Sequence, residues 1–278
     1  MKKNHLLIIC GLPVIAVLMT AFFRPGLSGR TSRTVSRHAG LSSTVPLPVE
    51  GASGAAPGFA VVELFTSEGC SSCPPADQLL AKIDSEYKKS VYVLEFHVDY
   101  WDRLGWKDAF SSADYTHRQQ DYSKFFRGAG IYTPQAVVNG TQQMIGSDES
   151  QLTAAIGQAL GATRNSSLGL IAGSKDGTAV KVSWSIDDPG DATLQIALVQ
   201  LQAASEVLRG ENKGRHLQHV NIVRDFRSIL MDKTSAGGTI KLKLPAGLTP
   251  KDCKVIAFLQ SPDDEHIIRA GEALIKEK

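Results

Sequence analysis

The chain has 278 residues, of which 42% are hydrophobic and 21% are charged, and its formal net charge is +2. A charge so close to balance argues against a dedicated nucleic-acid-binding protein, which usually carries a strong basic excess. Four cysteines in this length exclude a small disulfide-scaffolded domain, and the apolar fraction excludes extensive disorder. We therefore expect one or two folded domains and no nucleic-acid partner.

Residues 1–23 are predicted to be a secretory signal peptide or a retained signal anchor. Lys2 and Lys3 precede an apolar run at residues 6–23, which as a helix would be about 27 Å long, close to a hydrocarbon core of about 30 Å. The arginines after the run oppose export, because positive charge favours the cytoplasmic side. We expect an exported protein, periplasmic or otherwise extracytoplasmic, anchored to the inner membrane by residues 6–23 if the segment is not cleaved.

Residues 24–58 are predicted to be a flexible linker, because they are rich in Ser, Gly, Ala, Pro and Thr and show no apolar period.

Residues 59–163 have the pattern of an α/β domain. An apolar strand leads through a short turn to a helical segment, followed by a second strand, a helix, a hairpin and a last helix. Asn139-Gly140 is a strong hairpin signal, and Asp148 is a plausible N-cap of the last helix. This order predicts a mixed sheet with helices on its faces. The predicted elements include strands at residues 59–65, 91–98, 136–138 and 142–145 and a helix at residues 113–126.

Cys70 and Cys73 form a Cys-x-x-Cys sequence between the first strand and the first helix. In such a unit this spacing is typical of a thioredoxin-like redox motif. The attacking species in disulfide exchange is a thiolate, which the unpaired N–H groups and positive dipole end of a helix N-terminus favour. The dipole supplies about 0.3–1 kcal/mol and a strongly acidic thiol needs about 3–4 kcal/mol, so nearby amides must supply the rest. We expect Cys70 to be the reachable, attacking sulfur and Cys73 to resolve the mixed disulfide.

Two other roles remain open for these residues, whereas a zinc site is disfavoured. A zinc site normally needs four ligands, and no second Cys-x-x-Cys is present. A copper site that uses Cys70, Cys73 and His97 is consistent with soft-metal chemistry, and a purely structural disulfide is also consistent with the spacing. His97 is expected either to contact the active thiols or to be hydrogen-bonded within the core.

The residues around the cysteines resemble a known superfamily. Residues 62–73 (VELFTSEGCSSC) look like the opening of a glutaredoxin-type thioredoxin fold, and residues 132–140 (YTPQAVVNG) are similar to its cis-proline loop and hairpin. Residues 63–77, with Pro134 downstream, resemble the DUF1223 family of predicted secreted bacterial proteins. The resemblance implies that Cys70 is the nucleophile, that Cys73 resolves, and that Pro134 is cis and packs beside Cys70.

The same resemblance implies that the backbone of Thr133 is offered to an extended substrate. We expect Ser71, Ser72 and Trp101 to contact the substrate as well. Trp101 belongs to a long aromatic and charged connection at residues 97–108, which either lines the substrate cleft or packs onto the body of the domain. Glu63 and Glu95 occupy strand positions, where a carboxylate either relays a proton of Cys73 or is exposed at a sheet edge.

Residues 164–278 are predicted to form a mostly antiparallel β-sandwich-like domain. Apolar and polar residues alternate at residues 180–186 and 240–244, and turn signals separate short strands. The stretch at residues 209–227 is predicted to be a solvated connection, with domain docking or substrate contact as alternatives. His216 and His219 have a spacing that suits a metal only on a helix, and no third ligand is evident. Cys253 is expected to be buried and unpaired.

The sequence thus predicts an α/β thioredoxin-like domain followed by a β-rich domain, acting as a thiol–disulfide oxidoreductase through the Cys70/Cys73 pair. The expected partner is an exported protein or a small-molecule thiol or disulfide, with the membrane contacted only through the N-terminal segment. No cofactor or metal is expected for this reaction. The alternative is a copper- or other soft-metal-binding module that uses Cys70, Cys73 and His97.

Overall fold

The computed structural model describes residues 58–128, 130–162, 168–233 and 236–277. The predicted signal segment and nearly all of the predicted linker lie outside these residues. Within the described ranges, no helix is long and apolar enough to cross a membrane.

In this part of the chain, eleven strands form one hydrogen-bonded sheet in the order β4-β3-β1-β2-β8-β7-β10-β11-β5-β6-β9. The first four are β1 (Ala60–Thr66), β2 (Val91–His97), β3 (Gln135–Val138) and β4 (Gln142–Ile145). The next four are β5 (Leu168–Ser174), β6 (Ala179–Ile186), β7 (Thr193–Glu206) and β8 (His216–Leu230), and the last are β9 (Gly237–Lys243), β10 (Cys253–Gln260) and β11 (Ile267–Glu277). The α-helices that accompany them in the same ranges are α1 (Pro74–Glu86), α2 (Ala113–Phe125) and α3 (Glu149–Gly161). Short 3-10 helices span Asp99–Leu104 and Pro250–Asp252.

The helices cover both faces of the strands around β1. Alternate side chains of a strand point to opposite faces, and all of β1 is buried, so both of its faces are covered. Val62 and Leu64 pack with apolar residues of α1 and α3, whereas Val61 and Phe65 pack with Tyr115 and Tyr122 of α2. This arrangement leaves α1 and α3 on one face of the sheet and α2 on the other.

The regions on either side of residues 163–167 share the sheet and a core cluster. β2 pairs in parallel with β8 through Glu95 and Ile222. The core cluster on the α2 face joins Phe96 of β2 to Val223 of β8 and Phe258 of β10.

Beyond β7 the strands are mostly antiparallel. β11 pairs with β10 and then, through residues 275–277, in parallel with β5. Residues of β5, β6 and β9 share a buried cluster with residues of β7 and β10. Cys253 is buried there and forms no disulfide with another described cysteine, which confirms the prediction.

Candidate functional site

Cys70 and Cys73 are joined by a disulfide at the start of α1, and their Cα atoms are 5.4 Å apart. β1 ends at Thr66, a short turn follows, and Cys73 is the N-cap of the helix. Pro74 occupies the first turn, where a residue without an N–H group costs no intrahelical hydrogen bond. The structure therefore places the pair in the predicted strand–turn–helix unit.

Both cysteines are fully buried, so the prediction of a reachable Cys70 sulfur is wrong for this conformation. The β7–β8 connection at residues 207–215, here called the cover segment, packs against the cysteine turn. Asn212 Nδ2 donates hydrogen bonds to the backbone oxygens of Glu68 (2.8 Å) and Cys70 (2.9 Å). The Ser71 N–H donates to Glu211 Oε2 at 3.0 Å. Glu211 and Asn212, which were predicted to lie in a solvated connection, instead hold the cover segment against the cysteine turn.

The predicted substrate-contacting residues surround the same turn. Ser71 and Ser72 are exposed. Trp101 Nε1 donates to Thr133 Oγ1 at 2.8 Å, and the backbone at Gly69 lies close to the Trp101 side chain. The Thr133-Pro134 peptide bond is cis, as the resemblance implied.

A buried polar cluster lies on the α1 face of β2 and β8. Glu95 and His97 are two residues apart on β2, so they share a face with Val91 and Val93, which pack against α1. Neighbouring β8 contributes His219. The imidazole rings of His97 and His219 have centroids 4.7 Å apart, and both side chains are completely buried.

Carboxylates surround the two imidazoles. Glu95 Oε2 is 3.5 Å from His97 Nε2 and 3.2 Å from His219 Nδ1. Asp77 Oδ2, from α1, is 3.8 Å from His219 Nδ1. On the outer sides, Asp108 Oδ2 is 2.7 Å from His97 Nδ1, and Glu68 Oε1 is 3.6 Å from His219 Nε2.

Several of these buried atoms have no hydrogen-bond partner among the described residues. Glu95 Oε2, His97 Nε2 and His219 Nδ1 are unpartnered in this sense and face one another, and Glu68 Oε1 and His219 Nε2 also lack partners. Atoms of Glu95, His97 and His219 that could bind a metal all lie within 4.8 Å of one another. Neither Cys70 nor Cys73 belongs to this group of possible metal ligands.

Burial and mutual contact shift the pKa values of the cluster. Burial and the neighbouring Glu95 raise the pKa of Asp77 to about 7. Burial opposes protonation of His219, but Glu68 and Glu95 raise its pKa to about 9. Burial also disfavours the charged form of Asp108, but His97 and backbone N–H groups lower its pKa to about 2.

The structure separates the predicted roles of the two strand glutamates. Glu95 is buried in the polar cluster rather than exposed at a sheet edge. Glu63 is on the other face, where Arg118 and Tyr122 donate hydrogen bonds to its carboxylate. His97 is held by Asp108 within the core, which is one of the two roles expected of it.

Sequence reasoning missed Glu68, Asp77 and Asp108 as members of a site. Glu95, His97 and His219 were each singled out but not together, and the spacing of His219 from His216 was weighed only for a helix. In strand β8 a separation of three puts the two imidazoles on opposite faces, so His216 is exposed and His219 is buried.

The chain is an α/β protein with a mixed sheet. It has a buried Cys-x-x-Cys disulfide at the start of its first helix and a buried histidine–carboxylate cluster between β2, β8 and that helix. A family model described as "Protein of unknown function (DUF1223)" matches residues 61–260, and the chain belongs to that family.

The chain is also similar to solved structures. Protein AGR_C_4864 from Agrobacterium tumefaciens is 27% identical with a TM-score of 0.59, and the likeness covers 79% of this chain and 95% of that chain. A domain of the outer membrane lipoprotein Omp28 from Porphyromonas gingivalis is 12% identical over 41% of this chain and 91% of that chain, with a TM-score of 0.24, too low to indicate a shared overall fold. No curated protein matches the chain.

Proposed function

We propose that residues 59–163 form a thioredoxin-like module and that the protein is an exported thiol–disulfide oxidoreductase. The observation that supports this most directly is the Cys70–Cys73 disulfide at the first turn of α1. There, a thiolate on either residue would lie near the positive end of the helix dipole, although Pro74 and Pro75 supply no N–H group to it. Periplasmic location, and attachment to the inner membrane through residues 6–23 if they are retained, are parts of the same proposal.

The reaction needs no other redox group. A thiolate of the partner attacks Cys70 Sγ, the Cys70–Cys73 bond breaks, and Cys73 leaves as a thiolate. A second thiolate of the partner then attacks the partner's sulfur in the mixed disulfide, and Cys70 leaves as a thiolate. The partner gains a disulfide, the Cys70/Cys73 pair gains two electrons, and the two thiol protons of the partner pass to the pair or to solvent. The reverse sequence reduces a partner disulfide, and the relative reduction potentials set the direction.

Access to Cys70 requires the cover segment to move. Asn212 and Glu211 contact the cysteine turn through three hydrogen bonds. Within that turn, Ser71 and Ser72 are exposed. Opening would expose Cys70 beside Thr133 and Trp101, which we propose as substrate contacts. An extended partner segment could then form hydrogen bonds with the cysteine turn in place of the cover segment.

Trapping a mixed disulfide tests this function. In Cys73→Ser the remaining Cys70 thiol should form a stable adduct with glutathione disulfide under native conditions, detected by intact mass. The matched Cys70→Ser variant should react more slowly, because we propose Cys70 as the attacking sulfur and Cys73 as the resolving one. Cys10→Ser and Cys253→Ser in both backgrounds remove the two thiols outside the pair. In wild type, the pair should interconvert in graded glutathione buffers; a disulfide that resists reduction until the chain unfolds would instead mean a purely structural bond.

A further inference from the structure

We propose that Glu95, His97 and His219 bind a divalent transition-metal ion, with Asp77 as a fourth ligand and Zn²⁺ as the ion to test. Three atoms carry the inference: Glu95 Oε2, His97 Nε2 and His219 Nδ1 are buried and converge without a hydrogen bond to any described residue. Buried polar atoms nearly always have partners, so three that face one another point to a ligand between them.

The spacing of these atoms fits tetrahedral coordination. Metal–ligand bonds of about 2.1 Å at tetrahedral angles place neighbouring donor atoms about 3.4 Å apart. Glu95 Oε2 is 3.5 Å from His97 Nε2 and 3.2 Å from His219 Nδ1. The Asp77 Oδ2 to His219 Nδ1 separation of 3.8 Å is slightly longer. Asp77 lies outside the group whose donor atoms are all within 4.8 Å of one another, so its side chain must rotate toward the ion to complete the site.

The surroundings orient both imidazoles toward the centre of this site. Metal-binding histidines usually donate their other ring N–H to a carboxylate or carbonyl oxygen. Asp108 occupies that position for His97, at 2.7 Å from Nδ1, and is itself held by the backbone N–H groups of Glu68 and Phe110. Glu68 Oε1 faces His219 Nε2 at 3.6 Å. Each ring therefore has one nitrogen near a supporting carboxylate and the other near the proposed ion.

Charge balance also favours a divalent cation. Glu95 and Asp77 are almost completely excluded from solvent, and an isolated buried carboxylate is strongly unfavourable. One divalent ion offsets the charges of Glu95 and Asp77 while the imidazoles stay neutral, and the carboxylates of Asp108 and Glu68 lie beside the outer ring nitrogens. The competing arrangement, two protonated imidazoles with ring centroids 4.7 Å apart, would pair both rings with Glu95 Oε2, at 3.5 and 3.2 Å, but places like charges side by side.

The donor types narrow the choice of metal. Two imidazole nitrogens and two carboxylate oxygens suit Zn²⁺ and related first-row divalent ions, whereas Cu⁺ prefers thiolates and Ca²⁺ prefers oxygen ligands alone. The proposed ligands are at most 3% exposed, which is typical of a closed site without an open position for substrate. This site is separate from the soft-metal site that would use the cysteines.

The test uses the mature chain without a histidine tag, treated with chelator, dialysed and titrated with Zn²⁺. Wild type should bind one Zn²⁺ per chain, measured by elemental mass spectrometry and competition with a chromophoric chelator. His219→Ala and Glu95→Gln should each lower the affinity at least about tenfold, and Asp108→Asn should weaken it about 10- to 100-fold through the supporting shell. The control is His216→Ala, an exposed histidine of the same strand paired with Glu206, which should bind like wild type.

Two further measurements keep the proposal falsifiable if a variant does not fold. Co²⁺ bound to wild type should give the visible absorption of a tetrahedral site without a thiolate charge-transfer band. The Cys70→Ser/Cys73→Ser double variant should keep full Zn²⁺ affinity, so loss of redox activity and loss of metal binding are distinguishable. The proposal fails if wild type binds no stoichiometric Zn²⁺, if His216→Ala or the cysteine variant loses binding, or if nitrogen NMR shows both buried imidazoles protonated after Zn²⁺ addition.

Discussion

Replacing Asn212 with alanine tests whether the cover segment controls access to the disulfide. The Asn212 side chain donates two buried hydrogen bonds to the cysteine turn, at 2.8 and 2.9 Å. Each such bond contributes about 0.5–1.5 kcal/mol net, so opening becomes easier by about 1–3 kcal/mol. Because each 1.4 kcal/mol is a factor of ten, the open population should rise about 5- to 150-fold.

The assay is the rate at which dithiothreitol reduces the Cys70–Cys73 disulfide in native buffer, followed by acid quenching and thiol labelling. When closing is faster than reduction, this rate is proportional to the open population. The disulfide of Asn212→Ala should therefore be reduced about 5- to 150-fold faster than that of wild type. This factor corresponds to a change of about 1–3 kcal/mol in the free energy of opening. It should depend only weakly on low urea concentrations, because local opening exposes little surface compared with global unfolding.

Gln195→Ala is the matched control. Gln195 is also a buried amide, with side-chain hydrogen bonds to Gln260 (3.2 Å) and from Ser228 (2.6 Å), whereas Asn212 accepts one further bond from Arg215 (3.1 Å) inside the cover segment. It lies near the start of β7, about 40 Å along the strand from the cover segment. Gln195→Ala should lower global stability without speeding reduction. If both variants accelerate reduction equally, with a steep urea dependence, the disulfide is reached by unfolding and the cover segment does not gate it.

Two predictions concern stability measured by urea unfolding. Arg118→Ala should lower the free energy of unfolding by about 3–5 kcal/mol, because it removes the ion-pair partner of the buried Glu63 carboxylate. The control Lys124→Ala, on the exposed side of α2, should change the free energy of unfolding by less than about 0.5 kcal/mol. Equal effects of the two variants would contradict the ion-pair argument. Gly140→Ala should lower the free energy of unfolding by more than about 1 kcal/mol, because φ is +74° and a Cβ would lie 1.8 Å from a backbone oxygen. Gly157→Ala, in the middle of α3, should raise the free energy of unfolding by about 0.5–1 kcal/mol. An unchanged stability in Gly140→Ala would refute the steric reasoning.

Local patterns predicted the elements around the cysteines well. The hairpin at Asn139-Gly140 joins β3 to β4, and both residues have positive φ, 46° and 74°. Asp148 caps α3, accepting a hydrogen bond from the Gln151 N–H at 3.0 Å. These features are set by residues adjacent in sequence, so periodicity and turn chemistry were sufficient to find them.

The stretch at residues 209–227 was predicted wrongly because its core positions are polar. Most of it is strand β8, in the middle of the sheet, rather than a solvated connection. His219 and Asn221 are buried there, and a polar residue in a sequence pattern normally indicates exposure. Their partners come from α1 and β2, more than 120 residues earlier in the chain, so nothing near them in sequence marks them as buried.

The same polar residues explain how β2 and β8 join. The two strands pair at a single position, Glu95 with Ile222, and Asn221 beside it has a φ of +48°. Next to this pair the Val220 N–H donates to Glu95 Oε1 at 3.2 Å, so a carboxylate takes the place of a backbone acceptor. Apolar side chains there could not accept that hydrogen bond. The interruption in the ladder leaves Glu95 and His219 side by side, and the proposed ion would occupy the position where the parallel pairing ends.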